Sequence, residues 1–461
     1  MFKKMLCLVT AMILLLCLQA CDSDTATPTI PITPTINGVN LSEFSIVYNS
    51  DELDYCHRAA QYIQKEIETR TGLSLPLIED DEETATNEII VGETNRDISA
   101  QLDVKTEVMD FTILATDDKV AMEGKYFTVA AAAYYFVDTY ITDSPCEASI
   151  PKEALTHKPI TKEVNNIIFL IGDGMGTYQT QLFDYMTAPK HVTTDGEDLF
   201  YGYLFPAQGF SRTNSYTGTT DSAAGGTALS SGMKTNNGYV GIDRFQLPIK
   251  SLTELAGAQG KATAIMSTDV QSGATPAAFS AHVTSRDDTS AIYTSQLQLQ
   301  QKYGTVFSCG FNTNSNTVLE RNINNILNKM TESEKGFFLM YEEAHIDKYC
   351  HNQNLNGAFE ALIRFNQAIG LFMEYAFYHP DTFVIITADH ETGKLSINED
   401  GKPVVNQTTH SSADVPVFAY GHMSECFDDN TYENVQIPKT LAKFLGDDDF
   451  GDISSSYAPL F

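Results

Sequence analysis

Residues 337–351 read FFLMYEEAHIDKYCH, and their reading decides the fold. FFLMY is an apolar run with no polar alternation, the pattern of a strand buried on both faces of a parallel sheet. The next ten positions bring three carboxylates, two imidazoles, a thiol and an ammonium. In open α/β sheets, ligands bind beyond the carboxyl ends of the strands. A strand that ends in so much ligand chemistry therefore predicts such a sheet, with its site at that edge.

The surrounding sequence repeats the pattern. NNIIFLIGDGMG opens a second domain, and strand-like runs then alternate with helical ones. KATAIMST precedes SQLQLQQKY, GFFLMYEE precedes NGAFEALIRFNQAIGLFMEYAFYH, and TFVIITADH precedes PVFAYGH. This alternation predicts an α/β domain over 164–461, built on a doubly wound, mostly parallel sheet. A polar linker, PKEALTHKPITKE, spans 151–163. Before it, residues 41–150 read as a small α/β sandwich. FSIVY, NEIIVG, FTILATD and KVAMEG are strand patterns, and DYCHRAAQYIQKEIETRTG and YFTVAAAAYYFVDTYI are helical ones. This unit resembles the small N-terminal domain that precedes the catalytic domain in some hexosaminidases and glucuronidases. The resemblance rests on the helix leading into TGLSLPLIE and on the strand EIIVGET. It concerns fold, and it implies a structural or docking role. No paired acids or histidine cluster with a catalytic look occur there.

The first forty residues read as targeting and tether. MFKK is basic and LCLVTAMILLLCL is apolar but too short to span a bilayer, so 1–20 is a signal peptide. It ends in LQAC, which resembles a bacterial lipobox, with Cys21 as the lipidated residue. The Thr/Pro-rich stretch 21–40 is then a tether. The expected protein is exported and lipid-anchored in a bacterial cell envelope, with the membrane face open. Five cysteines remain after Cys21: Cys56, Cys146, Cys309, Cys350 and Cys426. They form no CxxC pair, which argues against a thiolate zinc site. The net charge of -31 argues against a nucleic-acid surface.

Four segments of the second domain deliver acids and imidazoles past strand ends. Asp173 follows IIFLIG, and Glu342, Asp347 and His351 follow FFLMY. Asp389 and His390 follow FVIITA, and His410 stands in the next loop. Any one acid alone is an ordinary N-cap; four segments on one edge are not. Asp347 and His351 are four apart, so one helical turn puts them on one face. Mixed Asp and His donors suit zinc. One ion could use Asp347, His351 and His410, and a second Asp173, Asp389 and His390. Two metals about 4 Å apart suit displacement at phosphorus. Glu342, Asp173 and a hydroxyl offer an all-oxygen site, which favours magnesium. Ser222, at the start of an Ala-rich helix in TTDSAAGGTALSSG, is the candidate nucleophile, because a helix N-terminus attracts phosphate. Arg286 offers a fork for two phosphate oxygens. No GxSxG elbow and no P-loop occurs.

LIGDGMG, TDSAAGGTAL, ATPAAFSAHVTSR, YEEAHIDKYCH, TADHETG and His410 occur in the order and approximate spacing of the alkaline phosphatases. Over about 165–461 the chain resembles that family. The resemblance implies a phosphomonoesterase acting on small phosphate monoesters, with Ser222 phosphorylated and Arg286 as clamp. It implies two Zn2+, on Asp347, His351 and His410 and on Asp173, Asp389 and His390. It implies one Mg2+ on Asp173, Thr275 and Glu342, and it leaves a homodimer open. Gly273 departs from the pattern, since bacterial relatives often have Asp there. In such relatives that acid pairs with a lysine matching Lys348. Lys348 is therefore expected to lack its partner and to meet the phosphate, with Glu343 the nearest substitute in sequence. His282 and His345 are expected to pack rather than ligate. The rival readings are a phosphodiesterase or sulfatase on the same scaffold, and a non-catalytic, glycan-binding surface lipoprotein. Diesterase relatives commonly use Thr as nucleophile and sulfatases a modified Cys or Ser in CxPxR or SxPxR, unlike TDSAAGG.

Overall fold

The structure is a computed structural model. It describes residues 34–49, 54–102, 109–142, 147–187, 199–312 and 315–452. The stretch read as a signal peptide, Cys21 and most of the stretch read as a tether lie outside the described residues, as does Cys146.

The larger sheet has eight strands. Their order is Val306–Cys309, Ala262–Ser267, Phe337–Glu343, Asn166–Gly172, Thr382–Thr387, Val415–Tyr420, Ala207–Arg212 and Thr431–Glu433. The first five are mutually parallel. Val415–Tyr420 runs antiparallel to both its neighbours. Helices cover both faces, and the central strands are buried throughout. The fold is α/β with a mostly parallel sheet, as the alternating runs predict.

Register positions the site. Gly172 pairs with Glu343, Ile171 with Thr387, and Ser267 with Glu342. Four parallel strands thus finish nearly flush. The residues that follow them share one edge.

The N-terminal unit has a six-stranded sheet, parallel in Leu77–Glu79, Phe44–Tyr48, Asn87–Val91 and Lys119–Gly124. Phe111–Ala115 and Leu155–His157 add antiparallel strands. Leu155–His157 lies within the stretch expected as linker, and serves as an edge strand. The chain also enters the unit at Thr35, earlier than Leu41. Thr35–Ile36 pairs with Glu147–Ala148, and Asn37 hydrogen-bonds the carbonyls of Thr116 and Ile150.

Helices Tyr55–Thr71 and Val129–Tyr140 lie between the small sheet and helix Leu355–Tyr378 of the second domain. One apolar cluster runs through all three helices. Tyr62 stacks on Tyr378 with centroids 4.2 Å apart. Arg58 gives its Nε to both carboxylate oxygens of Glu374, each at 2.9 Å. The two units therefore share a core. No helix among the described residues is long and apolar enough to cross a membrane.

Candidate metal centre

Helix Ser222–Ser231 begins on Asp221, whose Oδ1 accepts from the Ala224 amide at 2.9 Å. Asp221 Oδ2 accepts from the Gly238 amide at 3.0 Å and pairs with Arg286 Nη1 at 3.2 Å. Ser222 follows, buried, with its Oγ 3.2 Å from His390 Nε2. The helix comes this near because of Gly225: a Cβ there would lie 2.8 Å from the Asp389 carbonyl oxygen. Gly174 does the same across the sheet edge. At φ 75° a Cβ on it would meet Asp347 Cβ at 2.8 Å.

Asp389 and His390 are fully buried beside Asp173. Asp389 Oδ1 accepts from the amides of Gly174 and His390, at 3.3 and 3.0 Å. Its Oδ2 and Asp173 Oδ1 have no hydrogen-bond partner. His390 Nε2 lies 3.3 Å from Asp389 Oδ2 and 3.6 Å from Asp173 Oδ1, close but misaligned. Asp347 faces the other side. Its Oδ1 is 3.2 Å from His351 Nε2 and 3.5 Å from His410 Nε2, and those two nitrogens are 3.1 Å apart. His390 also groups with Asp347 and His410, so it borders both donor sets.

All three imidazoles are oriented the same way. Nδ1–H donates to the Thr408 carbonyl in His351, at 2.7 Å, and to the Thr220 carbonyl in His410, at 2.8 Å. In His390, Nδ1 faces Thr392 Oγ1 at 3.2 Å, and that hydroxyl donates to Asp347 Oδ1 at 2.5 Å. Each Nε2 is thereby aimed at the centre, where loss of its proton would present a lone pair to a cation, as metal-ligating histidines require.

Thr275 is fully buried and its hydroxyl has no hydrogen-bond partner. Glu342 accepts from Ser267 Oγ. Together with Asp173 these make an oxygen-only set.

Charge behaves as in a cluster built for cations. Burial, then Asp389, Asp347 and Glu342, pushes the Asp173 carboxyl well up. Burial raises Glu342 to about 8. Burial works against Asp347, yet hydrogen bonds from His351 and His410 hold it far below the carboxylate range. That same bond to Asp347 raises His351 to about 9. Burial keeps His390 neutral by lowering it. Unpaired buried oxygens at Asp173, Asp389 and Thr275, among converging Nε2 atoms, fit two Asp/His-held cations and a third held by oxygen.

Lys348 is not without a partner. Its Nζ lies 2.5 Å from Asp269 Oδ1. Glu343, the expected substitute, is taken: Arg364 donates to its two oxygens at 2.6 and 2.7 Å, and Thr268 and the His345 amide complete the set. Gly273 leaves room for this arrangement. A Cβ there would stand 2.8 Å from Asp269 Oδ2. His345 contacts Thr268, and His282 bonds Gly241 and Glu254. Asp269, Thr392 and Arg364 are contributors the sequence reading did not single out. Asp269 had a signal, as an acid two residues past the end of Ala262–Ser267.

The fold and donor set define an α/β scaffold that gathers candidate metal-binding acids and imidazoles at one sheet edge. The alkaline phosphatase family model matches residues 164–319 and 310–402, and the chain belongs to that family. Alkaline phosphatase 3 of Bacillus subtilis is 28% identical over 293 residues, 52% of this chain and 63% of that protein. That span is just under two thirds of its length. Alkaline phosphatase 4 of the same species is 27% identical over 340 residues, 61% of this chain and 72% of the relative. The Escherichia coli alkaline phosphatase is 25% identical over 396 residues, 62% of this chain and 82% of it. Among solved structures, the alkaline phosphatase of the Antarctic bacterium TAB5 superposes with TM-score 0.54 at 24% identity. It is covered over 99% of its chain and 62% of this one. The fold of the second domain is thus that of the family.

Proposed function

We propose that the protein hydrolyses phosphate monoesters through a phosphoserine at Ser222. The observation that carries this reading is the placement of the Ser222 hydroxyl. It sits at a helix N-terminus, 3.2 Å from His390 Nε2, beside buried acids with unpaired oxygens. Asp347, His351 and His410 would hold one Zn2+, and Asp173, Asp389 and His390 the other. Asp173, Thr275 and Glu342 would hold Mg2+; a variant of the TAB5 enzyme was solved with Mg bound. When bound, such cations supply positive charge to phosphate oxygens and depress the pKa of a nearby hydroxyl.

The chain's own groups do the rest. The Ser222 hydroxyl gives its proton to solvent and its Oγ forms a bond to phosphorus as the bond to the leaving alcohol breaks, and the departing oxygen takes a proton from solvent. Water then attacks the phosphoserine, releasing inorganic phosphate and restoring the serine hydroxyl. Arg286 spends one edge of its fork on Asp221, which aims the remaining N–H groups at the phosphate. Lys348 adds a second cation, its reach set by Asp269.

Rapid quench with labelled substrate at acid pH, run beside metal analysis, tests the reading. The expected result is label on the Ser222 peptide and a metal stoichiometry that tracks turnover. Turnover with no label on Ser222 would overturn it. We also propose that Cys21 carries lipid and anchors an exported protein in the bacterial envelope, because a basic start, a short apolar run and LQAC precede it. Cys21→Ser should release the processed protein into the soluble fraction. Persistent membrane association in that variant would point to another attachment.

A further inference from the structure

Two hairpins stand side by side at the clamp. The first turns at Ser215–Gly218, and the second runs out from Gly238 and turns at Asp243–Leu247. They are joined at the base. The Tyr216 amide donates to the Thr235 carbonyl at 3.1 Å, and the Asn237 amide to Thr217 Oγ1 at 3.2 Å. The same base carries the clamp: Gly238 donates to Asp221, and the Arg286 amide donates to the Gly238 carbonyl at 2.9 Å.

The tip is rigid. Asp243 is buried, and its Oδ1 accepts from the amides of Phe245 and Leu247 at 2.8 and 2.9 Å. Gln246, at φ 69°, donates to Tyr239 Oη at 3.0 Å. His282 braces the strand behind by its bond to the Gly241 carbonyl.

On this rigid tip sits Arg244. Its guanidinium carbon lies 5.1 Å from the Tyr216 ring centroid and 4.7 Å from that of Phe245. Both rings are open to solvent, at 56% and 66% exposure, and Arg244 is exposed with them. Among the described residues Arg244 makes no ion pair and no hydrogen bond. In a chain of net charge -31, this cation is held on two ring faces without an acid, which leaves its charge open to an anionic ligand. Stacking restrains the planar fork and leaves its N–H edges free for a ligand. Arg244 stands six positions after Gly238, so the two lie at most about 20 Å apart.

We propose that Arg244, held by Tyr216 and Phe245, is a second anion subsite on the hairpin whose base carries the phosphate clamp. The substrates it favours are phosphate monoesters that carry a second phosphate or carboxylate several bonds from the scissile one. This rests on the phosphomonoesterase reading above and names the substrate class of that site. Arg286 takes the reacting phosphoryl group, and Arg244 takes the remote anion, which tightens ground-state binding rather than the chemical step.

The test compares a nucleoside 3′,5′-bisphosphate, its 5′-monophosphate and nitrophenyl phosphate as substrates of the metal-loaded full chain. Wild-type turnover of nitrophenyl phosphate tests the underlying reading by itself. Given that turnover, Arg244→Gln should raise KM for the bisphosphate about 10–100-fold, the scale of one charge-assisted hydrogen-bond pair. It should leave kcat, nitrophenyl phosphate turnover and inhibition by inorganic phosphate within about twofold. Tyr216→Ala with Phe245→Ala, which frees the guanidinium without removing it, should give part of the same KM effect. Equal KM changes for all three substrates, or none for the bisphosphate, would overturn the proposal. So would a change in oligomeric state in Arg244→Gln, because the patch would then face another copy of the chain.

Discussion

Lys348 Nζ lies 2.5 Å from Asp269 Oδ1, and the backbone of Gly273 runs where any side chain would strike that carboxylate. The acid and the glycine are two halves of one arrangement. A carboxylate from position 269 and one from position 273 cannot both fill this space.

That exclusion gives the first prediction. Gly273→Asp should lower stability by about 1–3 kcal/mol, because overpacking adds to repulsion between two acids. Asp269→Ala in the same chain should recover most of the loss, a coupling that a double-mutant cycle in denaturant would read. Asp269→Ala alone frees Lys348 and should strengthen inhibition by inorganic phosphate about 2–5-fold, since a half-exposed ion pair restrains its lysine by at most about 1 kcal/mol. Additive stabilities would mean that the two side chains do not meet.

Thr392 carries the second. Its single hydroxyl proton goes to Asp347, which leaves the oxygen to accept from His390 Nδ1–H. One side chain thus sets a donor in each metal set. Thr392→Val keeps the shape and removes both bonds, so zinc affinity should fall about 10–100-fold. Thr392→Ser should hold it near wild type. Competition with a chelator measures both, and an unchanged affinity in Thr392→Val would show that packing alone orients His390.

His282 and Glu254 give a pH signature away from the metals. Burial lowers the imidazole, but hydrogen bonding and charge from Glu254 outweigh it and raise the value above 6.5. Glu254 is lowered in turn by His282, against its own burial. A raised imidazole contributes stability that is fully present below pH about 6.5 and is lost as pH rises through the raised value. The lowered carboxyl contributes stability that is lost on the acid side. His282→Gln should therefore cost about 1.5–3 kcal/mol near pH 6 and progressively less in alkali. Denaturant midpoints for both proteins across pH would show the curves converge upward in pH; parallel curves would mean that the pair is not charged.

Much of the site was legible because it follows one rule. Buried apolar runs end at a common edge, and the acid or imidazole just past each end faces the same space. Asp173, Asp347, Asp389 and His390 obey it, whereas His410 precedes Val415–Tyr420, whose antiparallel course starts at that same edge. Asp269 obeys it too, but its importance depends on the path of residues 268–273, which only tertiary packing sets. Sequence adjacency pointed to Glu343 for Lys348, yet Arg364, 21 residues further on in helix Leu355–Tyr378, holds that acid. The fusion of the two units was equally hidden. NGAFEALIRFNQAIGLFMEYAFYH is apolar around most of its circumference, which signals cover on more than one side. The pattern does not say which element supplies the second cover.

The supplied cover leads to the last prediction. Arg58 reaches from helix Tyr55–Thr71 to Glu374 on helix Leu355–Tyr378, with two bonds of 2.9 Å to a buried carboxylate. Burial raises Glu374, and Arg58 works against that shift. Arg58→Ala would strand the acid in a low dielectric, which costs about 3–5 kcal/mol when one partner of a buried pair is removed. Arg58→Met with Glu374→Leu replaces both charges by apolar groups of similar size and should recover most of that loss, since a buried pair adds little beyond its own desolvation. Because one core runs through both units, wild type should unfold in a single transition. Calorimetry of the three proteins decides the matter. Two separate transitions in wild type, or an Arg58→Ala variant as stable as wild type, would mean that the units stand independently and that the shared cluster does not couple them.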